Sequence, residues 1–244
     1  MDSEYRLMYE DLRVFIPVVG GLIGFIIFWF TWMSEKFQAS MIERFGKERG
    51  LANIIIYTKI LGGFTMGIMP AVVYLVVFPE TTLTDLGLGL SGRTLFATIF
   101  WTFGLGFLMA FLAWQNARKP ATLLYYPQIR ARKWTRKMMQ GNLLGWTLYL
   151  TGYEFLFRGV LLFPLVAEIG LWPAIAVNIA IYSSTHIPKG LKETVGAIPL
   201  CIVLCLVCVY TGNIWVAVFV HIAMAFTNTL TAFHHHPDME FIND

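Results

Sequence analysis

Glu154 and Arg158 stand four residues apart in TGYEFLFRGVLLFP, residues 151–164, a stretch otherwise apolar enough to dissolve in lipid. A charged group near the centre of a membrane helix costs at least ~2.5–3.5 kcal/mol, so it comes with a partner and a task. The i, i+4 spacing puts both on one helix face, where they can neutralise each other as a pair that orients the helix. Polar residues recur at similar spacing farther on: Asn178, Tyr182 and His186 at i, i+4, i+8, and His221 with Asn228 seven residues apart. Three apolar segments thus each carry a polar stripe, and in a bundle these stripes can meet in a common interior cavity. A carboxylate that takes a proton from water, imidazoles that hold the water or donate to an oxyanion, and an amide donor make a hydrolytic site without a side-chain nucleophile. Glu154, His186, His221 and Asn228 are the expected catalytic set, with Tyr153, Arg158, Asn178 and Tyr182 in support. No metal or cofactor is expected. Neither HExxH nor a Cys/His cluster with ligand spacing occurs, and two histidines with one glutamate could hold zinc or another divalent ion only in principle.

These residues need a scaffold, and the composition names its solvent. The 244 residues are 57% hydrophobic and only 14% charged, with twenty Phe, ten Tyr and eight Trp, which is too apolar for a soluble domain of this length. A spanning helix needs about 20 mostly apolar residues. Seven segments qualify, at 14–33, 53–78, 94–114, 143–165, 171–187, 194–210 and 213–233, the fifth short and the sixth barely long enough. The expected fold class is therefore all-α, a polytopic membrane helix bundle of about seven transmembrane helices. An eighth enters if part of 115–142 turns back into the membrane. The plainer reading of that loop is an interfacial segment with Tyr125, Tyr126 and Trp134 at headgroup level and its basic cluster on anionic lipid. No signal peptide is evident, since MDSEYRLMYEDLR carries both charges and the apolar run after it is long enough to span.

Thirteen Lys and Arg fall in loops 34–52, 115–142 and 188–193, against three in the opposite segments, Arg6, Arg13 and Arg93. The positive-inside rule then puts the N-terminus outside and the C-terminus in the cytoplasm, with the protein multi-pass in the cell membrane. Lys59 and Arg158 remain within helices. Lys59 is read as snorkelling to the cytoplasmic end of its helix. Cys201, Cys205 and Cys208 share one helix face and read as small core residues. No repeat or linker divides the chain, so 1–244 reads as a single membrane domain. Within it, residues 1–142 supply the N-terminal helices and the basic loop, and 143–233 form the core with the polar site. The cavity should open to the cytoplasmic side or laterally into the inner leaflet.

At these residues the chain resembles the CAAX protease and bacteriocin-processing family of intramembrane proteins. The family's motifs are EExxxR on one membrane helix, FxxxH on the next and HxxxN or HxxxD on a later one. Here YEFLFRG, YSSTH and HIAMAFTN stand in that order, and HIPKGLKETVGAIPL and TGNIWVAVFVH between them also look like bacterial members. The resemblance covers about 140–233 and implies an intramembrane peptidase of the bacterial inner membrane acting on a membrane-embedded or lipidated peptide, with no nucleic-acid partner. The family's water-activating base is the first glutamate, whose place Tyr153 takes, while Glu154 matches the second. Tyr182 replaces the Phe. Ala225 stands where Asn or Asp should be, and the amide comes at Asn228 on the same face. Successive residues point about 100° apart at 3.6 per turn, so a modest rotation of the helix aims Glu154 where residue 153 would point. The alternative is a catalytically impaired scaffold or bacteriocin self-immunity protein on the same fold. A transporter would use Glu and His as a proton relay, but neither an inverted repeat nor paired Gly/Pro-broken segments are present.

Overall fold

Lipid offers no partner to backbone N–H and C=O groups, so apolar stretches of spanning length must close their hydrogen bonds within a helix. A computed structural model describes residues 3–187 and 190–242. Helix α1 (Ser3–Met33) is followed by α2 (Glu35–Phe45), then α3 (Lys47–Gly62), which continues through a π turn at Gly63–Ile68 into α4 (Met69–Val77). Next come α5 (Leu95–Ala117) and the single turn α6 (Pro120–Leu123). Helix α7 (Arg136–Glu154) runs through a second π segment, Phe155–Leu161, into α8 (Leu162–Ile169). Helices α9 (Leu171–Ser184), α10 (Leu191–Thr211) and α11 (Trp215–His235) complete the bundle. Strands β1 (Lys133–Trp134) and β2 (Glu240–Phe241) form a short parallel pair.

Among the described residues six helical stretches are long and apolar enough to cross a membrane: Tyr9–Met33, Lys47–Val77, Leu95–Ala117, Arg136–Ile169, Leu191–Thr211 and Trp215–His235. The fifth expected segment, 171–187, is α9, whose 14 residues reach only ~21 Å against the ~30 Å hydrocarbon core. The chain is a multi-pass, all-α membrane protein. No eighth span arises from 115–142, which holds only α6 and β1 between α5 and α7.

Burial ranks the helices by role. The apolar window of Arg136–Ile169 is 72% buried and that of Leu95–Ala117 only 11%, so the former is the central helix and α5 a peripheral one. Phe96, Phe103 and Phe107 accordingly point away from the protein, as lipid-facing side chains do. Gly170, at φ 83°, makes the turn from α8 into α9, a left-handed conformation that a side chain would strain.

Two sets of contacts sort the connections between the bundle's ends. At one end Glu48 accepts from the Arg132 backbone N–H at 2.8 Å, and the Glu240 N–H donates to the Arg132 carbonyl at 2.9 Å. At the other, Arg13 pairs with Glu80 and lies 3.7 Å from Glu168. The loop around 118–134, the start of α3 and the C-terminal strand therefore share one end, which is where the sequence gathers its basic residues. Lys189, counted among them, lies outside the described residues.

Of the three aromatic residues read as interfacial, Tyr125 alone is exposed. Trp134 is fully buried, with its indole N–H donating to the Ala131 carbonyl at 2.8 Å and its ring 5.0 Å from Phe233. Its partners come from the same loop and from α11, so protein rather than lipid headgroups receives the indole. Tyr126 turns inward to the cavity described next.

Candidate active site

The central helix changes geometry where its chemistry begins. The α-helical part ends at Glu154 and the π segment starts at Phe155, the kind of local widening that recurs at functional sites. The other π turn, Gly63–Ile68, packs against this helix with almost no side chain between them. A Cβ on Gly67 would lie 2.6 Å from the Cα of Gly152, and one on Gly152 would lie 2.7 Å from the Cα of Gly63. Small residues allow this backbone contact, as at many membrane helix crossings.

Glu154 and Arg158 are both fully buried. Arg158 Nε lies 3.1 Å from Glu154 Oε2, so the pair expected from the spacing forms. Glu154 Oε1 hydrogen-bonds His221 Nδ1. Arg158 Nη1 donates to Asn178 Oδ1 at 2.6 Å, and Asn178 Nδ2 donates to the Phe157 carbonyl at 2.6 Å. Cys201 and Cys205 each put their Sγ 3.4 Å from the same Nη1, and the guanidinium carbon lies 4.8 Å from the Tyr182 ring centroid. The cysteines are core residues, in keeping with their spacing, and they also face the buried cation.

In front of this layer lies a cavity of about 430 Å³. His221, His186, Tyr153, Asn228 and Ala225 line it, whereas Glu154, Arg158, Asn178 and Tyr182 stand behind the wall. The structure thus separates into two layers the groups that the polar stripes placed in one pocket. The cause is reach: Glu154 spends both oxygens on Arg158 and His221, which closes the carboxylate off from the cavity.

The hydrogen bonds also assign protons. A carbonyl can only accept, so His186 Nδ1, 2.9 Å from the Tyr182 carbonyl, carries the hydrogen and Nε2 has the lone pair. The same reasoning applies to His221, whose Nδ1 faces the Glu154 carboxylate. Tyr153 Oη is 2.9 Å from Thr185 Oγ1, and Thr185 in turn donates to the Tyr182 carbonyl at 2.8 Å. The Asn228 side-chain oxygen is buried and has no hydrogen-bond partner among the described residues.

Three residues of the wall carry no site signal in their sequence pattern. Lys59 does not snorkel. It is buried, near the middle of Lys47–Val77, and lines the cavity with Trp146. The apolar segment 53–78 starts later than the helix does, which makes Lys59 look terminal in the sequence. Glu193, in the first turn of α10, also lines the cavity, although a position at a helix end argues against a deep role. Thr185, next to His186, offers no periodic signal. No group of three or more His, Cys, Asp or Glu that could hold a metal is found among the described residues.

Residues 138–227 match the family model described as type II CAAX prenyl endopeptidase Rce1-like. This stretch of the chain is an Rce1-like segment. No curated protein and no solved structure matches the chain. The Rce1-like segment contains Glu154, Arg158, Tyr182, His186 and His221, and coincides closely with the 140–233 over which the motifs were read. Two of the motif departures, Tyr153 and Ala225, fall inside it and on the cavity wall, the third, Tyr182, falls inside it behind the wall, and Asn228 lies just beyond its end.

Proposed function

We propose that the chain is an intramembrane peptidase that hydrolyses a peptide bond by activating water through the Glu154–His221 pair. The observation that carries this reading is that His221 sits between a buried carboxylate on Nδ1 and a cavity that it shares with His186. The role that the sequence assigns to Glu154 as direct base passes here through the imidazole. His221 Nε2 takes a proton from water as the water oxygen adds to the scissile carbonyl carbon, and Glu154 stabilises the imidazolium that forms. His186 Nε2 accepts the water's second hydrogen. The Asn228 amide N–H donates to the oxyanion. The proton on His221 then passes to the leaving nitrogen as the C–N bond breaks, which returns the imidazole to its starting form. No metal has a part in this scheme.

The substrate is a membrane-embedded or lipidated peptide. The thirteen-to-three bias of basic residues supports an orientation with the N-terminus outside and the C-terminus in the cytoplasm of a bacterial cell. The basic loop 115–142 then rests on anionic lipid, and the cavity, whose wall includes Tyr126 and Glu193, faces the cytoplasmic side.

Tyr153 and Ala225 on the cavity wall favour a second reading, a peptide-binding scaffold or self-immunity protein without turnover. Turnover of a panel of quenched membrane peptides in nanodiscs separates the two. Wild type should cleave at least one, and Tyr153→Phe should lose no more than about tenfold, the worth of one neutral hydrogen bond. If wild type is inert across the panel while Tyr153→Glu cleaves, the scaffold reading replaces the peptidase.

A further inference from the structure

Tyr153 stands where the family's motif carries its first glutamate, and the scheme above gives it no task. The residue is only 3% exposed and its ring is wedged among others, with centroids 5.6 Å from Tyr149, 4.7 Å from Phe157 and 5.6 Å from Tyr182. A phenol packed in this way cannot swing, so its hydroxyl must find partners where it stands. It stands on the cavity wall beside His221, with the two ring centroids 6.0 Å apart and edge to face.

Each hydrogen in this corner has one place to go. Thr185 Oγ1 lies 2.8 Å from the Tyr182 carbonyl, which can only accept, so the threonine hydrogen is spent there. His186 Nδ1 lies 3.2 Å from Thr185 Oγ1, but it carries the hydrogen that the same carbonyl receives at 2.9 Å, so it offers the threonine no competing acceptor. In the 2.9 Å contact between Tyr153 Oη and Thr185 Oγ1 the tyrosine is therefore the donor. With its hydrogen turned to Thr185, the phenol oxygen keeps a lone pair, and no donor among the described residues meets it.

An acceptor is what a peptide needs at this depth. A membrane-embedded segment closes its N–H groups within a helix, and that helix must open before a carbonyl inside it can be attacked. The N–H groups so released are costly to leave unmet in an apolar chamber. A carboxylate and a phenol whose hydrogen is tied back both accept, so tyrosine at 153 gives up the base and keeps the acceptor.

We propose that Tyr153 Oη receives a backbone N–H of the substrate next to the scissile bond and thereby holds the opened peptide against His221. The place beside the bond rests on the peptidase reading, while the hydrogen bond itself is a property of binding and is tested as such.

The test uses the full-length protein in nanodiscs and a dansyl-labelled Leu/Ala peptide of about 20 residues, long enough to span. Unlabelled copies of the peptide, each with one backbone nitrogen methylated, displace it, and energy transfer from the protein's tryptophans reads the affinity without turnover. Tyr153→Phe should bind the parent peptide about three- to tenfold more weakly, the worth of one neutral hydrogen bond. Methylation at one position should weaken wild type by a similar factor and make it equal to Tyr153→Phe, while at distant positions the difference between the two persists. For a peptide that is cleaved, the loss should fall on KM and not on kcat. A Tyr153→Phe loss that survives methylation at every position overturns the proposal. So does a variant that binds every peptide like wild type, or a wild type that binds none. A loss in kcat alone also overturns it and gives Tyr153 to the attacking water. Should Tyr153→Phe fail to fold, Tyr153→Met removes the same acceptor. Binding that depends on Tyr153 without any cleavage keeps this assignment and removes the peptidase reading, and cleavage indifferent to Tyr153 does the reverse.

Discussion

Glu154 holds His221 from behind, with its Oε1 on the imidazole Nδ1 and its Oε2 beside Arg158 Nε at 3.1 Å. Carboxylate and imidazole are 67 residues apart in the chain, and only the crossing of the central helix with α11 brings them together.

That arrangement predicts how activity responds to each partner. Glu154→Gln keeps the size of the side chain but removes the charge that stabilises the imidazolium. His221→Gln removes the base itself. Both should lower kcat about 10²–10⁴-fold with little change in KM. Single-turnover cleavage of a membrane peptide measures this, and wild-type kcat in Glu154→Gln would take the carboxylate out of the mechanism.

The Glu154–Arg158 pair predicts an unusual stability pattern. Removing one partner of a buried pair strands the other and typically costs about 3–5 kcal/mol, while replacing both with apolar groups is often close to neutral. Glu154→Met and Arg158→Met should each melt well below wild type, and the double variant should melt above at least one of them. Thermal unfolding in detergent reads the order; additive losses would mean that the pair is not coupled.

The contact between the two π-turn helices predicts a steric effect. Gly152→Ala brings a methyl group to 2.7 Å from the Cα of Gly63, backbone that cannot swing aside. The loss should be about 1–3 kcal/mol, as for overpacking a core. An unchanged melting temperature would show that the crossing relaxes freely.

At the end of the bundle, the C-terminal clasp should respond to pH through His236. Burial and then the neighbouring Arg130 hold its pKa below the ordinary histidine value, with Asp238 pulling weakly the other way. Arg130 Nη2 lies 3.3 Å from His236 Nε2, and the Asp238 N–H donates to Nδ1 at 3.2 Å. A depressed folded pKa means that the unfolded chain binds the proton more readily. The stability is therefore present above the ordinary value of about 6.5 and lost as pH falls through the lower folded value. Amide exchange at Glu240 and Ile242, corrected for intrinsic rates, should speed up on acidification. Equal protection on both sides of that range would remove His236 from the clasp.

How much of this is legible in the residues depends on the range over which each signal acts. The spans are readable because about 20 apolar residues in a row have few destinations other than lipid. The Glu154–Arg158 pair is readable because i, i+4 on a helix is a local geometry. The ordered motifs around His186 and His221 mark the Rce1-like segment by residue type alone. Periodicity, however, fixes only which residues share a face, not what that face meets. Whether Glu154 looks into the cavity or into His221 is decided by helix rotation and crossing at Gly63, Gly67 and Gly152, where backbones touch. Lys59 illustrates the same limit. An isolated helix would let it snorkel, and it turns inward because α7 brings Asn142 and Trp146 within reach across 83 and 87 residues of chain. Trp134 likewise leaves the interface for a pocket closed by Phe233, a residue 99 positions away. The amino-acid order determined the solvent, the helices and the chemical groups, all local or compositional properties; the tertiary packing alone decided which groups line the cavity and which stand behind it.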